Sequence, residues 1–136
     1  MKKKFEFLEH TADIKFKAWG KTLEEIFENS ALAVSDYISR GGKIKPVKNK
    51  EIKVEGQDIK ELFYNFLDEL LYLLDADGFV VSKAKVKIDN KKLNAVIYGD
   101  NASHYEGLNP IKSATYAEMY IKKFKLGWEA QAVMDV

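Results

Sequence analysis

Two stretches of the chain repeat apolar residues at intervals of three and four. Leu23, Ile26, Phe27, Ser30, Ala31, Val34, Tyr37 and Ile38 fall on one side of a 3.6-residue period, which predicts an amphipathic helix. Thr22, with Glu25 three residues on, supplies a capping box: hydroxyl and carboxylate each satisfy an amide that the first helical turn leaves without a partner. Gly41-Gly42 ends the helix. Asp58 and Glu61 repeat the plan ahead of Leu62, Phe63, Phe66, Leu67, Leu70, Leu71 and Leu74, with a stop near Asp77-Gly78.

The remaining segments alternate with the period of two that half-buried strands require. Leu8, Ala12, Ile14, Phe16 and Ala18 share one parity, while Thr11, Asp13, Lys15 and Lys17 take the other. Ile52 and Val54 mark a short strand among lysines. Ala84, Val86 and Ile88 alternate with Lys83, Lys85 and Lys87, and a turn at Asp89 to Lys92 leads into Leu93 to Tyr98 as a hairpin. A last hairpin runs from Thr115 to Lys125, turns at Leu126-Gly127 and returns as Trp128, Ala130, Ala132, Met134 and Val136. Gly99 to Pro110 is a polar connection containing His104, long enough to be functional or mobile. The order is β-α-β-α-β-β-β-β. It implies an α+β fold, a two-layer sandwich of two helices on a mainly antiparallel sheet. No repeat or linker divides it, so residues 1–136 read as a single domain.

Composition narrows the chemistry. With 46% hydrophobic and 32% charged residues the chain has the makeup of a globular domain, not of a disordered tail. Lys+Arg 22 against Asp+Glu 21 leaves a net charge of +1, so no global field draws it to nucleic acid or membrane. The charge is segregated instead: acidic residues crowd the two helices, and lysines crowd Arg40 to Gln57 and Lys83 to Lys92. The absence of cysteine excludes disulfides, thiolate zinc sites and thiol nucleophiles. Two histidines, His10 and His104, are too few for a histidine-rich metal site. There is no phosphate-cradling glycine loop, HExxH pair, EF-hand pattern or nucleophile elbow. Met1 to Lys4 is basic, but Glu9, His10 and Asp13 interrupt any signal-peptide core, and no run approaches the roughly 18 apolar residues of a membrane span. These features imply a soluble, cytoplasmic domain.

A few residues are candidates for chemistry. His10, three residues before Asp13, is either a hydrogen-bonded structural histidine at a strand start or part of an element beside a metal or an RNA phosphate. Aspartate is disfavoured in strands, yet Asp13 sits on the polar parity, where a solvated carboxylate costs little. Spacing alone favours the structural role for both. Asp135 precedes Val136, whose chain-terminal carboxylate would place two anions side by side. Their repulsion favours a nearby cation or a frayed terminus, and oxygen ligands suit calcium or magnesium. The lysine sets could grip phosphates, although lysine on strands also discourages edge-to-edge aggregation. Phe63, Phe66, Tyr116 and Tyr120 fall on core periodicity.

Phe7-Leu8-Glu9-His10-Thr11-Ala12-Asp13-Ile14, Ala18-Trp19-Gly20 and the Leu23-to-Ala33 helix, with Lys112-Ser113-Ala114-Thr115-Tyr116, Gly127-Trp128-Glu129-Ala130 and the closing Met134-Asp135-Val136, resemble the archease family in order along the whole chain. One position departs: Ala117 stands where the family often has histidine, so no role of that histidine carries over. The resemblance implies an accessory protein, not an enzyme, that activates the tRNA-splicing RNA ligase by promoting its guanylylation and repeated turnover. It also implies a chaperone-like or specificity-modulating role toward a tRNA methyltransferase as the alternative. A stand-alone RNA-binding module using the lysine-rich strands is the third class. Carried over residue by residue, Asp13 and Asp135 become ligands of a divalent metal ion, calcium with magnesium as the alternative, Val136 adds a main-chain or terminal oxygen, and His10 and Lys112 lie beside the site. The expected partners are the ligase, in the alternative reading the methyltransferase, and tRNA only indirectly, with no membrane involved.

Overall fold

A computed structural model describes residues 3–10 and 12–136. The chain runs β1 (Phe5–Leu8), β2 (Asp13–Gly20), α1 (Leu23–Ile38), β3 (Lys48–Glu55), α2 (Ile59–Asp77), β4 (Phe79–Asp89), β5 (Lys92–Asn101), β6 (Ser113–Ala114), β7 (Tyr120–Phe124) and β8 (Gly127–Asp135). Both helices begin where the sequence places them. Thr22 Oγ1 accepts from the Glu25 amide at 3.1 Å, and Asp58 Oδ1 accepts from the Glu61 amide at 2.8 Å. The return bonds of Glu25 and Glu61 fall one residue earlier than a strict capping box, on the amides of Lys21 and Gln57. Gly78 closes α2 in the left-handed region at φ 60°, where a side chain would be strained.

The fold is α+β with antiparallel pairing throughout, but the strands form two sheets where one was expected. The first has the order β1-β2-β8-β6, with β7 also pairing to β8; the second has the order β3-β5-β4. The first and last long strands thus lie side by side, with Asp13 to Gly20 facing Asp135 to Trp128 in continuous register. Two further expectations are corrected. The alternation from Leu8 to Ala18 is not one strand but a hairpin of β1 and β2, because Ala12 takes φ 67° and breaks the extended path; His10 therefore precedes the strand instead of lying in it. The stretch from Thr115 to Met119 is a turn between β6 and β7, with Glu118 at φ 53°.

Phe16, Ala18, Ala130, Ala132 and Met134 from the first sheet, and Ile52, Val86, Leu93 and Ile97 from the second, meet the helices in one continuous core. Helix α1 packs against β2 and β4, so it joins the two sheets. It is buried on more than one side for that reason: Asn29, Ser30, Ala33 and Ser35 are buried along with its apolar stripe. Asn29 donates its amide to Trp19 O at 2.6 Å, and Glu28 Oε2 accepts from the Val86 amide at 2.8 Å, satisfying a donor on the edge of β4. Phe27 sits edge-on to Phe63 of α2, ring centroids 5.0 Å apart. Tyr116 and Tyr120 are not core residues. Tyr116 is 48% exposed and stacks on Tyr64 at 4.3 Å, and Tyr120 lies on the outer face of the first sheet.

The Gly99–Pro110 connection is shorter than expected and well tied. β5 continues to Asn101, and a single 3-10 turn spans Ala102–His104. The Asn109 amide then bonds to Ile38 O at 2.8 Å, and Arg40 Nε bonds to Gly107 O. His104 Nδ1 lies 2.9 Å from Asp100 Oδ1 just after β5 of the second sheet, whereas His10 precedes β2 of the first. No helix is long and apolar enough to cross a membrane among the described residues.

Candidate functional site

The sequence alternation puts Asp13, Lys15 and Lys17 on the opposite side of β2 from Phe16 and Ala18, so the core forces them onto the outer face of the first sheet. The same rule acts on β8, where Asp135 shares the outer face with Glu129. Asp13 and Asp135 are direct cross-strand partners, and Ser113 of β6 flanks Asp135 on its other side. Ser113 Oγ donates to Asp135 Oδ2 at 3.2 Å, and the Lys112 amide donates to Asp135 O at 2.8 Å. The result is a row of oxygen donors across three strands, with Lys112 exposed at its margin. Like charges directly opposite each other are unfavourable unless something intervenes. Val136 follows, half-buried against the core.

His10 stands over the same end of the sheet. Its Nδ1 is 3.8 Å from Asp13 Oδ2, beyond hydrogen-bond distance, and finds no partner among the described residues although the atom is buried. Its Nε2 is 3.1 Å from Glu118 Oε2. Glu118 also takes Lys15 Nζ at 2.8 Å, while its carbonyl accepts from Gln131 Nε2 at 2.8 Å. The hydrogen bonds from Lys15 and His10 hold the Glu118 carboxyl below its ordinary range. Glu118 therefore bridges β8 from above, which explains why Val133, on the outer parity, is only 1% exposed.

A groove of about 670 Å³ opens beside this row, lined by Phe7, Leu8, Glu9, His10, Asp13, Ile14, Lys15 and Tyr37. Its lining combines apolar Phe7, Leu8, Ile14 and Tyr37 with charged Glu9, Asp13 and Lys15, the mixture expected of a recognition surface. Thr11, part of the N-terminal motif, lies outside the described residues.

Asp13, Asp135, Val136, Lys112 and His10 are thus brought to one end of one sheet. Two members were not read from the sequence. Glu118 has no local signal, because its partners lie more than a hundred residues away in the chain. Lys15 was visible only as one more polar-parity lysine. Among the described residues no three His, Cys, Asp or Glu side chains are placed to hold a metal ion together. An ion held here would need the two aspartates completed by hydroxyl and main-chain oxygens. That all-oxygen set suits a hard divalent cation.

A second outer-face cluster reinforces the sheet. Trp19 Nε1 donates to Glu129 Oε1 at 2.7 Å, and the Tyr120 hydroxyl donates to Glu129 Oε2. Burial raises the Glu129 carboxyl, but the hydrogen bonds from Tyr120 and Trp19 and the charges of Lys17 and Lys122 outweigh it, leaving the group below its ordinary range. Burial and the adjacent carboxylate push the Tyr120 hydroxyl up.

Fold and site together define a small two-helix, two-sheet α+β domain that presents a cross-strand carboxylate pair beside an open groove. A sequence model of the archease protein family matches residues 5–136. The chain belongs to the archease family. Protein archease of Pyrococcus furiosus is 41% identical over 141 residues, covering 98% of this chain and 99% of its own. Protein archease of Methanosarcina acetivorans is 38% identical over 98% of this chain and 97% of its own. Among solved structures, the solution structure of protein 1598 from Methanobacterium thermoautotrophicum superposes with a TM-score of 0.84 at 31% identity, covering 98% and 99% of the two chains. The crystal structure of an archease from Thermotoga maritima, described as a possible chaperone, shares the fold with a TM-score of 0.64 at 19% identity over 95% and 94%.

Proposed function

We propose that this protein is an accessory factor that activates the tRNA-splicing RNA ligase, promoting guanylylation of the ligase and its repeated turnover. Family membership supports the reading, and the observation that carries it is the pairing of Asp13 with Asp135, which joins the two end motifs in one row. In this reading the Asp13 and Asp135 carboxylates and the main-chain oxygen of Val136 hold a divalent ion, calcium or magnesium. The ion supplies a positive centre for the nucleotide or phosphate chemistry of the ligase. His10, positioned by Glu118, and Lys112 border that centre and contact the partner's phosphates. The groove beside them receives a segment of the ligase, and the acidic faces of the two helices steer encounter with a basic, RNA-binding enzyme. The protein itself performs no bond-breaking step.

The test is RNA ligation by the cognate ligase at substoichiometric enzyme, with and without this protein. Addition converts a single round of joining into many. Asp13→Ala and Asp135→Ala lose that gain while keeping the wild-type circular dichroism spectrum. Full activation by both variants would remove the carboxylate pair from the mechanism.

The description of the Thermotoga archease as a possible chaperone favours a second reading, in which the protein chaperones or modulates a tRNA methyltransferase. A pull-down from cell extract that recovers the methyltransferase and not the ligase would support it. No change in ligation, with nucleotide and divalent metal present, points the same way.

A further inference from the structure

The second sheet has an outer face that the ligase reading leaves unused. Its helices cover only one side, where Ile52, Val54, Val86, Leu93, Ala95 and Ile97 are buried. A bulge between Val81 and Lys83 shifts the phase of β4 by one residue. Before it, Phe79, Val80 and Val81 are all buried; after it, Val86 turns inward and Lys83, Lys85 and Lys87 all turn outward. Next to the bulge only glycine fits at position 99, where a Cβ would meet Val80 O at 2.1 Å. The three lysines form a straight row with a spacing of roughly 6.6 Å, twice the strand rise. That spacing is on the scale of neighbouring phosphates in an extended polynucleotide.

Among the described residues none of Lys83, Lys85 and Lys87 forms an ion pair, whereas Lys15, Lys17 and Lys50 elsewhere do. Across from the row on β5 lie Asn94, Val96 and Tyr98, in register with Lys87, Lys85 and Lys83. Lys83 Nζ sits 5.5 Å from the centroid of the Tyr98 ring. Asn49 of β3 pairs with Tyr98 from the other side. The acidic residues of this face are at its margins: Asp89 at the hairpin turn, and Glu51 and Glu55 on β3, two strands from the lysines.

We propose that this face binds single-stranded RNA, with Lys83, Lys85 and Lys87 on successive backbone phosphates, Tyr98 beneath a base, and Asn94 and Asn49 bonding to 2′-hydroxyls or base edges. A protein partner would need a well-exposed apolar anchor; Val96 and Tyr98 on this face are only half-exposed, and of the large exposed hydrophobics among the described residues, Phe7, Val47, Tyr72, Tyr116, Phe124 and Leu126, only Val47, just before β3, adjoins it. A duplex would need an element that projects into a groove, and this face is a plain sheet surface. Amide side chains that both donate and accept suit the 2′-hydroxyl, which distinguishes RNA from DNA.

The experiment measures anisotropy of a labelled, unstructured RNA oligonucleotide with this protein alone across a salt series. It compares Lys83→Gln/Lys85→Gln/Lys87→Gln with Lys122→Gln/Lys123→Gln/Lys125→Gln from the β7–β8 hairpin. Each triple variant takes the net charge from +1 to 1 − 3 = −2, so global charge is matched. All six lysines are exposed, and thermal melts verify that both variants fold. The sheet variant loses about tenfold or more in affinity and reduces the log–log salt slope by about 2, near 0.7 for each phosphate contact removed. The hairpin variant retains most of both. Tyr98→Ala weakens binding severalfold with the slope unchanged. Absence of binding by the wild type, or equal losses in the two triple variants, overturns the proposal. Equal affinity for DNA of the same sequence, or displacement by polyglutamate as effective as by RNA, also overturns it. Ligase activation is not needed for any of these readouts, so the two readings fail separately.

Discussion

Asp100 is 3% exposed one residue before the end of β5, where a buried carboxylate would ordinarily be driven toward its neutral form. Burial does raise it, but the hydroxyl of Tyr105 at 2.8 Å, the Asn101 amide at 2.7 Å and the ring of His104 outweigh burial and hold the group below its ordinary range. The same Tyr105 oxygen accepts from the Lys45 amide at 2.8 Å, so one carboxylate fastens both the loop after β5 and the segment before β3. A carboxyl depressed in the folded state contributes stability that is fully present above its unfolded value, near pH 3.9, and is lost as pH falls through the folded value. Asp100→Asn therefore flattens the acid limb of the stability curve below about pH 4 and costs stability at neutral pH. Urea denaturation of both proteins between about pH 2 and 7 checks this; parallel curves would refute it.

At the scale of elements, the two helices stand on local instructions. Their caps are single side chains, and Thr22→Ala or Asp58→Ala each lowers stability by about 1 kcal/mol, read as a shift in the urea midpoint with an unchanged slope. This locality is why both helix starts and the end of α2 at Gly78 were legible in the sequence, while α1 stops at Ile38, short of the Gly41-Gly42 pair that was expected to end it. The strands were legible in pattern but not in extent. Alternation across Leu8 to Ala18 continues through Ala12, whose φ of 67° breaks the strand, and nothing in the alternation reveals it. Thr115 to Met119, expected to begin the last hairpin strand, turns instead, with Glu118 at φ 53° and the Met119 amide bonding back to Tyr116 O. The division into two sheets depends on which strands pair, and short-range pattern does not encode pairing. The site divides in the same way. Asp13 and Asp135 were visible as charged residues on the polar parity of strands, whereas Glu118 acquires its role only through distant partners.

Across the whole molecule, both helices pack against both sheets, and Phe27 of α1 is buried at the junction with α2. Truncation by Phe27→Ala costs about 3–5 kcal/mol. Because one core serves both halves, far-ultraviolet and near-ultraviolet circular dichroism lose signal in a single coincident transition. Separated transitions would show that the sheets hold together independently. The pairing of β2 with β8 also orders events during synthesis. As the chain leaves the ribosome, everything from Lys48 to Asn101, a contiguous stretch holding the whole second sheet and α2, is available before β8 is made. The second neighbour of β2, β8, is made after all of these, and until then Asp13 faces no Asp135. The cross-strand carboxylate pair thus exists only once β8 has been synthesised, and a chain stalled before β8 offers a ligand or partner only half of the site.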